Sequence, residues 1–181
     1  GSTGGLIGRA QANVTDATAS GDVNGTTTGS RVGGLIGEYD PTRLATIANV
    51  SASGNVSGSI GTGGLIGSSI SVTRVTVSDA RATGDVTAAV AGTTHAYVGG
   101  LIGEIQTAGD VTNVSATGDV TVSGSDSNKH GQEVGGLVGE LVHDSTSDVV
   151  ANASATGDVR TGGGNTGGLI GRYTGGGTVK D

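Results

Sequence analysis

The pentapeptide Gly-Gly-Leu-Ile-Gly begins at Gly4, Gly33, Gly63, Gly99 and Gly167, and again at Gly135 with Val138 in place of the isoleucine. The spacings are 29, 30, 36, 36 and 32 residues. Self-similarity at such a period means one supersecondary unit stacked on itself, because a lone unit of this size cannot bury its apolar face. A second element recurs in between: TDATASGDV, ANVSASGNV, SDARATGDV, TNVSATGDV and ANASATGDV, with Gly-Asp or Gly-Asn pairs starting at Gly21, Gly54, Gly84, Gly118 and Gly157. The two elements alternate over nearly the whole chain. They predict an all-β fold, a parallel β-solenoid (β-helix) of about five and a half rungs, with residues 1–181 forming a single domain.

The strand assignment rests on alternation. In the fourth copy Val114, Ala116, Gly118 and Val120 alternate with Asn113, Ser115, Thr117 and Asp119, the period-2 pattern of a half-buried strand. The same parity places Val23, Val56, Val86 and Val159 inward with Val120, behind small Ala and Gly positions. Small inward residues require the facing wall to come close, and the pentapeptide supplies the missing bulk through Leu6, Leu35, Leu65, Leu101, Leu137 and Leu169. Together these leucines and valines are the expected core of the repeat.

Leu35 and Ile36 are adjacent, so a regular strand would send them to opposite faces. The favoured arrangement is a glycine bulge that turns both inward. The alternative leaves Ile7, Ile36, Ile66, Ile102, Val138 and Ile170 as an exposed apolar stripe, which would be an assembly surface.

Composition agrees with a thin interior. The chain has no Cys, Met, Trp or Phe and three Tyr among 181 residues, 38 of which are Gly. A wide globular core needs large side chains to span it; a solenoid does not. The periodicity of the apolar residues argues against a disordered Gly/Ser-rich linker. A net charge of −7 disfavours nucleic acid, and no apolar run approaches the length of a membrane-spanning helix. Zero cysteines leave no disulfide framework and no thiolate metal site.

Several polar columns emerge when the copies are aligned. Asp22, Asn55, Asp85, Asp119 and Asp158 stack as a ladder, and its carboxylates Asp22, Asp85, Asp119 and Asp158 are the candidates for Ca²⁺, since stacked oxygen ligands would lose their repulsion on binding it. The simpler reading has each member hydrogen-bond nearby backbone after its Gly. No other cofactor is expected. A second ladder, Asp16, Asn49, Asp79, Asn113 and Asn152, reads as structural. The residue after each pentapeptide is Arg9, Glu38, Ser68, Glu104, Glu140 and Arg172, read as an exposed column whose end arginines relieve the glutamates. His95, His130 and His143 occupy unrelated positions, without partners at metal-ligand or triad spacing, and read as solvated loop residues. Six Asn-x-Ser/Thr sequons (Asn13, Asn24, Asn49, Asn55, Asn113, Asn152) arise naturally where an Asn precedes a Ser/Thr-rich strand. No catalytic constellation is present, so an enzyme is not expected.

Gly-Gly-Leu-(Ile/Val)-Gly alternating with Asn-x-x-Ala-Thr-Gly-Asp-Val resembles the GLUG repeat. That resemblance implies a bacterial or archaeal surface protein, adhesin-like and non-catalytic, located extracellularly or on the cell surface. The family's usual Asn-Cys-Tyr is replaced here by Asn-Val-Ser or Asn-Ala-Ser, as in Asn113-Val114-Ser115.

The termini sharpen the expectation. Thr178-Val179-Lys180-Asp181 resembles Thr76-Val77-Ser78-Asp79 entering the repeat strand, so the last rung stops partway. Open strand edges recruit further strands, which makes Gly4, Leu6, Thr178, Val179 and Asp181 the expected assembly ends. The expected function is that of an adhesin stalk or filament subunit stacking head to tail, with another copy of itself or a cell-surface glycan or protein as partner. The second expectation is a module binding glycan or Ca²⁺ through ladders and loops.

Overall fold

The computed structural model describes residues 1–26, 29–90, 95–124 and 131–180, and every regular element among them is a β-strand. All strand pairs are parallel, and the pentapeptide strands stay in register from copy to copy: Gly33 sits on Gly4 and Gly63, and Gly99 on Gly63 and Gly135. The chain is a parallel β-solenoid.

Rung two shows the plan. Arg31–Gly33 forms a short strand, Gly34 and Leu35 reverse the chain, and Ile36–Tyr39 runs back. A long strand, Ala45–Ala52, then turns the side of the rung, and Val56–Gly58 closes it. Stacking of equivalent strands produces three sheets: a six-stranded central sheet, an eleven-stranded wrapping sheet and a five-stranded closing sheet.

The central sheet lies between the other two. Its Val32, Val98 and Val134 pack against Val23, Val56, Val86 and Val120 of the closing sheet, forming the smaller apolar core. The opposite side of the same strands faces the wrapping sheet, where Arg31 Nη1 lies 3.1 Å from Glu38 Oε2. The larger core joins the leucines and isoleucines of the pentapeptide to Ile47, Val50, Ala52 and their equivalents.

Both pentapeptide side chains point inward. Leu35 and Ile36, Leu65 and Ile66, Leu101 and Ile102, and Leu137 and Val138 are all within 1% of complete burial. The device is a reversal at Gly34-Leu35 and its equivalents rather than an extra bulge residue. Leu65 O accepts the N–H groups of both Leu35 and Ile36, at 2.9 and 3.0 Å, so two successive residues can face the core. No exposed isoleucine stripe exists in the inner rungs.

Two close approaches require glycine. A Cβ on Gly64 would lie 2.9 Å from Ala82 Cβ across the large core and would land on the Gly100 carbonyl. A Cβ on Gly67 would lie 2.6 Å from Val32 N in the central sheet.

The corner of the long strand is made by the second ladder. Asp16, Asn49, Asp79, Asn113 and Asn152 all have positive φ, between 49° and 55°. Asn and Asp tolerate this left-handed conformation because a short polar side chain can hydrogen-bond locally. The column satisfies itself from rung to rung: Asn49 Nδ2 donates to Asp16 Oδ1 (2.5 Å), Asn113 to Asp79 (3.1 Å) and Asn152 to Asn113 (3.0 Å).

Burial falls off at the ends. Leu6, expected in the core, is 54% exposed, and Leu169 and Val159 are only half-buried. Each has lost the neighbouring rung that covers its inner equivalents.

Candidate functional site

Three features could carry function: the Asp/Asn ladder, the column after the pentapeptide, and the two ends of the stack.

In the ladder, each side chain reaches along the stack to the backbone of the next member. Asp22 Oδ1 accepts Asn55 N–H at 2.8 Å, and Asn55, Asp85 and Asp119 accept from Asp85, Asp119 and Asp158 at 2.9 Å each. Asn and Asp serve equally because only Oδ1 is needed. The Asp158 N–H, followed by the Arg160 guanidinium, holds the exposed Asp119 carboxyl below its ordinary range. Among the described residues no group of three or more His, Asp or Glu converges in a way that would hold a metal ion.

The column after the pentapeptide differs from its sequence reading. Glu38, Ser68, Glu104 and Glu140 are 0–7% exposed, because the central sheet covers them. Facing them from that sheet stand Arg31, Gly61, Tyr97 and Glu133, stacked directly on one another. The result is a polar layer between two sheets. Glu38 takes Arg9 Nε and Arg31 Nη1 at 3.1 Å each, and Ser2 Oγ at 2.8 Å. Arg9 also pairs with Asp40. At the other end Arg172 Nη1 lies 3.2 Å from Glu140 and 3.9 Å from Glu133.

Among the described residues Glu104 is held by neutral groups alone, Ser68 Oγ at 2.6 Å and Gln106 Nε2 at 2.7 Å. Burial raises the pKa of Glu133, and Glu140 beside it raises it further. Burial likewise raises Glu140, against the opposing pull of Arg172. Glu133 Oε2 is buried without a hydrogen-bond partner among the described residues. Partial burial, with Glu104 nearby, pushes the half-buried Tyr97 up to about 12.

The histidines divide. His95 is exposed, and His130 lies outside the described residues. His143, read from sequence as a solvated loop residue, is 4% exposed. Its Nδ1 is 3.0 Å from Tyr173 Oη, the rings meet edge to face, and burial pushes its pKa down. Sequence reasoning also missed Asp148, completely buried and paired with Arg74 two rungs away. Arg74 passes over Gly109, where a Cβ would lie 2.7 Å from its Nε.

At the ends, Gly4 continues the central sheet, and Leu6 is exposed. Thr178 and Val179 pair with Val149 and Val150, so Val179 extends the column of Ile47, Val77, Val111 and Val150; it is 44% exposed. Asp181 lies outside the described residues.

This geometry of glycine reversals and stacked Gly-Asp-Val strands has a counterpart among known families. The sequence pattern described as the GLUG motif matches residues 1–24, 28–57 and 94–121. This is a GLUG-motif repeat chain. Its repeats are 63% identical, over 213 aligned residues, to part of Halomucin from Haloquadratum walsbyi. That alignment covers all of this chain but 2% of the relative, so the chain spans a small fraction of that protein's length. No solved structure matches these GLUG repeats. No helix among the described residues is long and apolar enough to cross a membrane.

Proposed function

We propose that this chain is a structural segment of an extracellular or cell-surface protein, a stalk or filament unit that joins further rungs through its open ends. The observation that carries this reading is the full burial of Leu35, Leu65, Leu101 and Leu137 between successive rungs, which makes the face of each rung the surface that receives the next. Each end of the stack presents the same apolar and hydrogen-bonding surface that the interior buries between rungs. Parallel strands stacked in this way add further rungs without closing. The likeness to a stretch of a far longer protein, whose name is that of a mucin, supports a role as one length of a larger surface structure. The non-catalytic reading follows from the same source: repetition along the rod serves spacing and stiffness.

Electron microscopy and light scattering of the purified chain over a range of concentrations test this. The expected result is rods longer than one chain, shortened by Leu6→Asp. Single rods of one chain's length at every concentration, unchanged by that substitution, would overturn end-to-end joining.

A further inference from the structure

We propose that the cleft beside Glu104 binds a small organic cation, a guanidinium or primary ammonium group carried on a polar ligand. The polar layer between the central and wrapping sheets holds four buried or nearly buried carboxylates, Glu38, Glu104, Glu133 and Glu140. Three guanidinium groups reach that layer, from Arg9, Arg31 and Arg172, and all three are committed to Glu38, Glu133 and Glu140. Glu104 stacks directly on Glu140 and makes no ion pair among the described residues. A buried carboxylate held only by neutral donors is one cation short.

The missing charge has room to enter. A cleft of about 240 Å³ opens at this point, lined by Ser68, Tyr97, Glu104 and Gln106 together with Arg31, Gly61 and two isoleucines. It exists because rung three places Gly61 and Ser68 where its neighbours carry Arg31 and Glu38 on one side, and Tyr97 and Glu104 on the other. Both Glu104 oxygens are already oriented, by Ser68 and Gln106, and each retains accepting capacity. Tyr97 adds an aromatic wall, whose face attracts cations. Arg31 also lines the cleft, but its guanidinium is engaged with Glu38. The arrangement therefore selects positive charge over neutral or anionic ligands.

Amide chemical-shift titrations of the folded chain test the site with L-argininamide, D-glucosamine and, as a control, KCl at matched ionic strength. The expected result is saturable movement of the Gly61, Ser68 and Gln106 amides with one or both organic cations. The stronger of the two identifies the preferred head group. Glu104→Gln should weaken binding about tenfold or more, the loss expected when a charge-assisted hydrogen bond is removed. Gln106→Arg, a change at an exposed side chain, should fill the site from within and abolish binding while keeping the fold. Shifts no larger than those from KCl, or binding that persists in both variants, would overturn the proposal.

Discussion

The pentapeptide columns and the column that follows them are adjacent in every rung, yet they obey opposite rules. Leu35, Leu65, Leu101 and Leu137 stack identical on identical and vanish from solvent. One residue beyond the pentapeptide, the column reads Arg, Glu, Ser, Glu, Glu, Arg. Apolar contact is non-directional, so a residue that packs well against one copy of itself packs equally well against the next. Charge does not stack this way, because like groups in register repel. Repetition can therefore build the core of a solenoid, but its charged layers need individual residues.

The harshest way to break the repetitive side is Gly67→Ala. The added Cβ would meet the backbone of Gly37 at 2.5 Å and of Val32 at 2.6 Å, and neither can rotate away. We expect a loss above about 4 kcal/mol, the range reserved for core overpacking and backbone disruption. A urea melt in which Gly67→Ala unfolds like the parent would show that the two sheets are not held at this spacing.

On the individual side, Arg74→Ala removes the charged partner of Asp148, which is 0% exposed and keeps only the Ser145 N–H among the described residues. Stranding a buried carboxylate costs about 3 kcal/mol, somewhat less here because Arg74 itself is partly solvated. Asp148→Asn in the same background should recover part of that loss, which a double-mutant cycle would measure.

How much of this could be read beforehand follows the same division. The repeats disclosed the parallel stack, the inward leucines and valines and the polar face, because identical residues in register carry that information directly. The left-handed corner at Asn49 and its equivalents left only a faint trace: a position limited to Asn and Asp while the residue before it varies among Ser, Thr and Ala. The burial of Glu38 and Glu104 left none, since it depends on the central sheet folding back over the column. Arg74 and Asp148 are singular residues 74 positions apart, and His143 sits in a segment whose length varies between copies. Nothing local marks such residues as buried.

Glu133→Gln sharpens the contrast at smaller magnitude. The Glu133 pKa is raised in the folded state, so the folded protein holds protons that the unfolded chain releases above its ordinary range. Stability should therefore fall as pH rises from the ordinary carboxylate value through the raised one. Glutamine cannot ionise and removes that slope at this site. A gain on the order of 1 kcal/mol at neutral pH is expected. Melting curves from pH 4 to 8 should converge at the acidic end and diverge at the neutral end; parallel curves would place the perturbed carboxylate elsewhere.

The smallest effect concerns a polar column that does repeat. Asp22, Asn55, Asp85 and Asp119 escape the rule against stacked charge because their shared task is to accept the backbone N–H of the next member, and the carboxylates of this outer column are screened by water. Asp85→Asn retains that acceptor and should change stability by less than about 0.5 kcal/mol, whereas Asp85→Ala loses it and should cost up to about 1 kcal/mol. Melting with millimolar calcium or with a chelator decides between backbone bonding and ion binding. Equal midpoints for the parent and Asp85→Asn in both conditions are expected. A calcium-dependent rise in the parent that Asp85→Asn loses would mean that charge, rather than the shared oxygen, keeps this column uniform.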